Sequence, residues 1–192
     1  DSIPEPRSSR QDTPLVVFAG RLTWQKGPER FVAAAAALAP KFPETRFVMA
    51  GDGELRHSLT QTVQRLGLEE HFSIPGFLPR RELLTRLRGS AVFVMPSVSE
   101  PFGMSALEAA ACGVPVVLSE SCGVREVLPS AIAVDATDTI RLANAVGALL
   151  SDPQKRRETG AQVRREAEQA TWDRSVQRLE EVYEDVLDPT PS

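Results

Sequence analysis

At 192 residues, with 42% hydrophobic and 25% charged side chains, the chain has the size and apolar content of one sizeable globular domain, which excludes two large domains and bulk disorder. A formal charge of -4, from 22 basic against 26 acidic groups with no basic block, argues against non-specific nucleic-acid binding. No apolar run reaches the roughly 18 to 20 residues of a membrane span, the opening DSIPEPRSSRQDTP lacks a signal-peptide pattern, and Cys112 and Cys122 with His57 and His71 have no metal-ligand spacing; the expectation is a cytoplasmic protein with reduced thiols, no metal and no transmembrane segment.

Residues 1–14 hold three prolines and no apolar period and read as a linker or trimmed domain boundary; 188–192 read as a disordered tail. Between them short apolar runs alternate with helix-period segments. LVVFA at Leu15–Ala19 precedes a loop and a helix from Pro28 to Leu38. RFVMA at Arg46–Ala50 precedes Gly51-Asp52-Gly53 and a helix to about Leu66. A short strand at Phe72–Pro75 is followed by a helix over Pro79–Arg88, and AVFVM at Ala91–Met95 by a loop and a helix over Ser105–Ala111. Strands follow at Val114–Leu118 and Ala131–Val134, then helices at Thr139–Leu150, Pro153–Gln169 and Trp172–Leu187. Continuous apolar strands separated by helices imply a parallel sheet covered on both faces. The predicted fold class is α/β, a doubly wound, Rossmann-like parallel sheet of about six strands.

Ligands of such sheets sit beyond the carboxyl ends of the strands. The first such loop, GRLTWQKGP, frees the strand exit with Gly20, places Arg21 and Lys26 at its mouth and starts a helix at Gly27-Pro28. It suits a phosphate without being a Walker A loop, and a solvated loop with two ordinary cations is the alternative. The second, GDGELR, is either a partial dinucleotide fingerprint or a tight strand-to-helix turn.

The loop PSVSEPFGMSALEAAACGVPVV carries the most. Pro101 discourages helix at Glu100, Gly103 frees the backbone and helix formers begin at Ser105, so helix N-terminal amides around Phe102, Gly103, Met104 and Ser105 can receive an anion. Glu108 lies about five residues along, roughly 7–8 Å up the helix axis, while Glu100 stays in the loop. A two-carboxylate hydrolase needs its acids facing each other across one bond and has no use for an anion cradle between them. Carboxylates can instead grip sugar or ribose hydroxyls while amides, Arg21 and Lys26 hold a diphosphate. A nucleotide-sugar fits these parts; a solvated Glu108 on a half-exposed helix is the alternative.

GRLTWQKG, RFVMAGDGEL, FSIPGFLP, FVMPSVSEPFGMSALEAAACGVPVV and SCGVREVL, in that order, resemble the C-terminal domain of glycosyltransferase family 4, retaining enzymes of the two-domain GT-B architecture that include glycogen-synthase-like and sucrose-phosphate-synthase-like proteins. The resemblance spans about Leu15 to Leu187, with two glutamates separated by seven intervening residues as its most specific element. It implies a nucleotide-sugar-binding domain over 15–187, with Arg21 and Lys26 on the donor diphosphate, Glu100 near the donor sugar and Glu108 on the ribose. Phe102, Gly103 and Met104 would supply backbone contacts, and Pro75, Gly76 and Phe77 would lie near the base. It further implies glycosyl transfer with retained configuration, attack coming from the face the diphosphate leaves, and no cofactor beyond the nucleotide-diphosphate sugar itself. Fixed cations and amides would stabilise charge on the leaving group.

The sequence departs from the family pattern in lacking a glycine between Leu128 and Asp135. By the resemblance, the N-terminal acceptor domain is expected to be missing from these 192 residues, which would then bind a donor better than they turn one over. Trp172, Val176, Leu179, Val182, Tyr183 and Val186 form an apolar stripe that the resemblance directs toward that missing domain, leaving it open to weak self-association; packing on its own sheet is the alternative. A non-catalytic nucleotide-sugar-binding module and a GT-B epimerase or phosphorylase are the competing functions. A phosphorylase needs a lysine for pyridoxal, and of Lys26, Lys41 and Lys155 the first is already used by the basic loop.

Overall fold

The computed structural model describes residues 13–170, so the stripe over 172–187 lies outside the described residues. The apolar runs form strands β1 (Leu15–Ala19), β2 (Arg46–Ala50), β3 (Phe72–Gly76), β4 (Val92–Met95), β5 (Val116–Ser119) and β6 (Ile132–Val134). The periodic segments form helices α1 (Pro28–Leu38), α2 (Arg56–Arg65), α3 (Arg80–Arg88), α4 (Met104–Ala111), α5 (Thr139–Ser151) and α6 (Pro153–Gln169). All strands run parallel in the order β3-β2-β1-β4-β5-β6, the doubly wound Rossmann-like arrangement the sequence predicts.

Alternate residues of each central strand serve opposite faces, as the two-residue pleat requires. Val16, Phe18, Phe47, Met49, Val92 and Val94 enter one core with α1, α2 and α5. Val17, Ala19, Val48, Ala50, Phe93 and Met95 enter the other with α3, α4 and α6. The first core is organised by Phe31 of α1, whose ring centroid lies 5.8 Å from Phe18, 6.2 Å from Phe47 and 5.5 Å from Phe72, within the range where offset and edge-on aromatic contacts are favourable.

Boundaries differ from expectation where backbone donors are missing or redirected. β5 starts at Val116, not Val114, because the Val114 N–H donates to Ala109 (3.1 Å) and Pro115 has none to give the ladder. α3 starts at Arg80, after Pro79 with extended φ and ψ of -54° and 146°. The glycine-free turn before β6 is pinned from α6, the Ser130 N–H and Oγ donating to the two Glu166 carboxylate oxygens at 3.1 and 2.5 Å. Asp138 and Asp152 cap α5 and α6 through the N–H groups of Arg141, Gln154 and Lys155.

Helices α4 and α6 touch at Gly160, where a Cβ would lie 2.2 Å from the Gly113 carbonyl oxygen and 3.2 Å from Pro115 Cδ. Helix propensity alone favours Gly160→Ala by about 1 kcal/mol, but forcing backbone apart costs about 1–3 kcal/mol. The clash is with rigid backbone, so the packing cost wins. Gly160→Ala is expected to lower stability in urea titration; a variant more stable than wild type would contradict the contact.

Candidate functional site

Strand order reverses between β1 and β4. Helix α1, leaving β1, packs on one face and α4, leaving β4, on the other. Their divergence opens a cleft of about 720 Å³ at the carboxyl edge of the sheet. Of the residues singled out from sequence, Gly20, Arg21, Lys26, Glu100, Phe77, Phe102, Gly103, Met104 and Glu108 all line it. Gly76 does not. It ends β3 with φ 87°, its carbonyl accepts from the Gly51 N–H (2.8 Å), and it sets the exit from which Phe77 reaches the cleft.

The floor consists of loops laced to one another beyond the strand ends. The Gly20 N–H donates to the Ala50 carbonyl (3.0 Å) and the Leu22 N–H to Asp52 (2.9 Å), extending the β1–β2 pairing into the basic loop. Gly51 is forced here, since at φ 148° a Cβ would stand 1.8 Å from the Gly20 oxygen. The GDG sequence therefore acts as a close-approach turn. Gly51 and Asp52 nevertheless line the cleft, a placement the sequence reading left out in favour of the turn. The Asp52 carboxylate accepts from the Gly53 N–H (2.8 Å) and from Arg56 (3.1 Å).

The second wall is the β4–α4 loop. Gly103 caps α4 with φ 116° and ψ 56°, and a Cβ there would crowd Met95 Sδ (3.1 Å) and Val124 Cγ1 (3.2 Å). The N–H groups of Met104 and Ser105 donate to no backbone carbonyl among the described residues and stand at the positive end of the α4 dipole. Ser105 Oγ donates to the Ala19 carbonyl at 2.9 Å, fixing this helix end to the end of β1. The loop is held from behind by the Gly123 N–H on the Glu100 carbonyl (3.0 Å) and the Val124 N–H on that of Phe102 (2.8 Å).

Five charged side chains define the electrostatics. Lys26 Nζ donates to Glu100 Oε2, and both side chains are largely withdrawn from water, 19% and 10% exposed. Arg21 is exposed and its guanidinium has no partner among the described residues. Arg80 Nε donates to Glu108 Oε1 at 2.8 Å. The cleft is thus lined by a lysine–glutamate ion pair, a guanidinium without a partner among the described residues, a second glutamate held by an arginine, and the start of α4 with its two open amides. Such a set of donors and carboxylates suits an anion that also carries hydroxyl groups. Phe77, Phe102 and Met104 add an exposed apolar rim.

The model of the family described as glycosyl transferases group 1 matches residues 1–166. The chain belongs to the glycosyl transferases group 1. Among curated relatives, the alpha-maltose-1-phosphate synthase of Mycolicibacterium smegmatis is 35% identical over 186 residues, covering 90% of this chain and 48% of the relative. The chain thus spans about half the length of that relative. The C-terminal domain of a glycosyl transferase group 1 family protein from Francisella tularensis has the same fold, with a TM-score of 0.76 at 23% identity over 82% of this chain and 85% of that one. An Anabaena protein crystallised with UDP and glucose matches with a TM-score of 0.78 at 24% identity, over 91% of this chain and 49% of its own. The chain therefore has the Rossmann-like fold of the GT-B enzymes. Among the described residues no helix is long and apolar enough to cross a membrane.

Cys122, which the sequence offers only as a reduced thiol, is 2% exposed beneath the glutamate loop, with Ser119 Oγ at 3.2 Å. Burial pushes its thiol up, outweighing the Ser119 hydrogen bonds that favour the thiolate, and the Glu100 charge adds to the rise. Its signal in sequence was slight, a lone cysteine after an apolar run. Cys112 is half-buried. With a thiol reagent at about pH 8, Cys112 should react in the native chain and Cys122 only on denaturation, since thiolate and access are both required. Two equally fast thiols in native protein would contradict the burial of Cys122.

Proposed function

We propose that the chain is the donor-binding, C-terminal half of a retaining glycosyltransferase of family 4, and that its cleft takes a nucleotide-diphosphate sugar. The single observation that carries this reading is one cleft lined by Arg21, Lys26, the α4 amides and two glutamates. In it the diphosphate lies against the Met104 and Ser105 N–H groups and the two cations, the donor sugar near Glu100 and the ribose against Glu108. The base meets Phe77. The Francisella C-terminal domain and the Anabaena protein crystallised with UDP and glucose support this assignment by likeness of fold.

Chemically, bond cleavage at the sugar leaves negative charge on the diphosphate. Arg21 and the start of α4 already line the cleft, so little reorganisation is needed of them as that charge develops. Lys26 is held by Glu100 until a donor arrives, and the pair keeps either charge from standing alone in a part-buried loop. The acceptor approaches from the face the diphosphate leaves, which retains the anomeric configuration. The partner half that brings the acceptor completes the enzyme, and the chain alone binds donor in excess of turning it over.

Uridine, adenosine or guanosine diphosphate at about millimolar concentration should raise the melting temperature, because a ligand of the folded form alone stabilises it. No shift with any of the three would overturn the donor cleft. Arg21→Ala should weaken the best of these by about 1 kcal/mol, and Lys26→Ala by up to about 3 kcal/mol, since the latter also strands Glu100 beside the diphosphate. Calorimetric affinities unchanged in both variants would remove these residues from the diphosphate.

A further inference from the structure

Glu108 stands in a wall with two sides. One side is the cleft; the other is a groove of about 400 Å³ on the surface of α3, α4 and α6, lined by Arg80, Arg88 and Arg164 together with Glu108 and Cys112. Among the described residues Glu108 is the only carboxylate on that groove. Arg80, the first residue of α3, lines the groove and not the cleft, and reaches Glu108 Oε1 from behind at 2.8 Å. The Glu108 side chain is 19% exposed and that of Arg80 75%.

We propose that Arg80 is a positioning residue that fixes the Glu108 carboxylate for a ribose and thereby sets the chain's preference for ribonucleotides over deoxyribonucleotides. The inference rests on the donor-cleft reading above. A glutamate that grips a vicinal diol must present its oxygens at a fixed angle, yet its free side chain explores several rotamers, and freezing them at the moment of binding costs up to about 2 kcal/mol. Arg80 removes that cost beforehand. Its hydrogen bond occupies one lone pair of Oε1, leaving the rest of the carboxylate's acceptor capacity, including all of Oε2, without a partner among the described residues.

Arg80 is the groove cation that holds the Glu108 carboxylate. The other groove cations do not replace it while it is present. Arg164 is engaged by Glu168 at 2.8 Å, and Arg88 has no ion pair among the described residues. Without Arg80, Glu108 would be drawn toward Arg88 and its angle to the cleft would change. Because Arg80 is mostly exposed, its removal should disturb this ligand geometry and leave the fold intact.

The test compares, by calorimetry on the full 192-residue chain, the tightest-binding of uridine, adenosine and guanosine diphosphate with its 2′-deoxy form and with inorganic pyrophosphate. Wild type is expected to favour the ribo form. Arg80→Gln should shrink that ribo-to-deoxy ratio by about threefold or more, with the pyrophosphate affinity and melting temperature unchanged. Glu108→Gln should abolish the same ratio, and adding Arg80→Gln to it should do nothing further, the signature of two residues acting as one unit. A ratio unchanged in Arg80→Gln, or an equal loss for pyrophosphate, overturns the positioning role while the donor cleft stands. A wild type that binds diphosphates without preferring ribose overturns it too. A wild type that binds none of the three overturns both readings.

Discussion

The constraint on which the molecule depends is the reversal of strand order beside β1. A right-handed crossover that moves from β1 toward β2 must cover one face of the sheet, and one that moves from β4 toward β5 must cover the other. Two neighbouring strands therefore send their helices apart, and the carboxyl edge between them cannot be filled by either. Everything chemical in the described chain is attached to the rims of that gap: the basic loop on β1 and the glycine-capped α4 on β4. The apolar faces beneath, with Phe31 tying Phe18, Phe47 and Phe72 together on one side and the small residues of α4 packed on the other, fix the two rims relative to each other.

Close backbone contact replaces side-chain packing where the loops meet. The Gly20 oxygen passes where a Cβ of residue 51 would lie, and Pro101 passes where one of residue 123 would lie, its carbonyl oxygen 2.1 Å from that position. These contacts join the loop after β1 to that after β2, and the loop after β4 to that after β5; the first three of these four loops line the cleft. They also explain why the exposed donors of α4 remain open: Ser105 uses its hydroxyl, not its amide, to tie the helix end to Ala19.

Charge is arranged so that no group near the cleft stands without compensation unless it is exposed. Lys26 and Glu100, which are withdrawn from water, are paired; Arg21, which is not, has no partner among the described residues. A part-buried single charge would carry a desolvation cost of several kcal/mol, whereas a solvated guanidinium carries little. Glu108 follows the same rule through Arg80. Cys122, uncharged and buried under Glu100, fits this pattern because burial and the neighbouring carboxylate both favour its thiol form.

The order of strands and helices was legible in the sequence, because continuous apolar runs such as LVVFA and AVFVM can be covered only in a parallel sheet between two layers of helices. Arg21, Lys26, Glu100 and Glu108 were legible as candidates, because each lies just past a strand end or on the first turns of the helix after it. Tertiary structure alone decided who meets whom. Nothing local in the sequence pairs Lys26 with Glu100 or Arg80 with Glu108, 74 and 28 residues apart, since both contacts exist only through the sheet that brings those loops to one edge. It likewise turned Gly51 from half a fingerprint into a point of backbone contact, and set Gly76 behind the cleft while its neighbour Phe77 entered it. Local pattern fixes what each segment is, because periodicity and turn chemistry act over a few residues. The distances among segments follow from how the whole sheet packs.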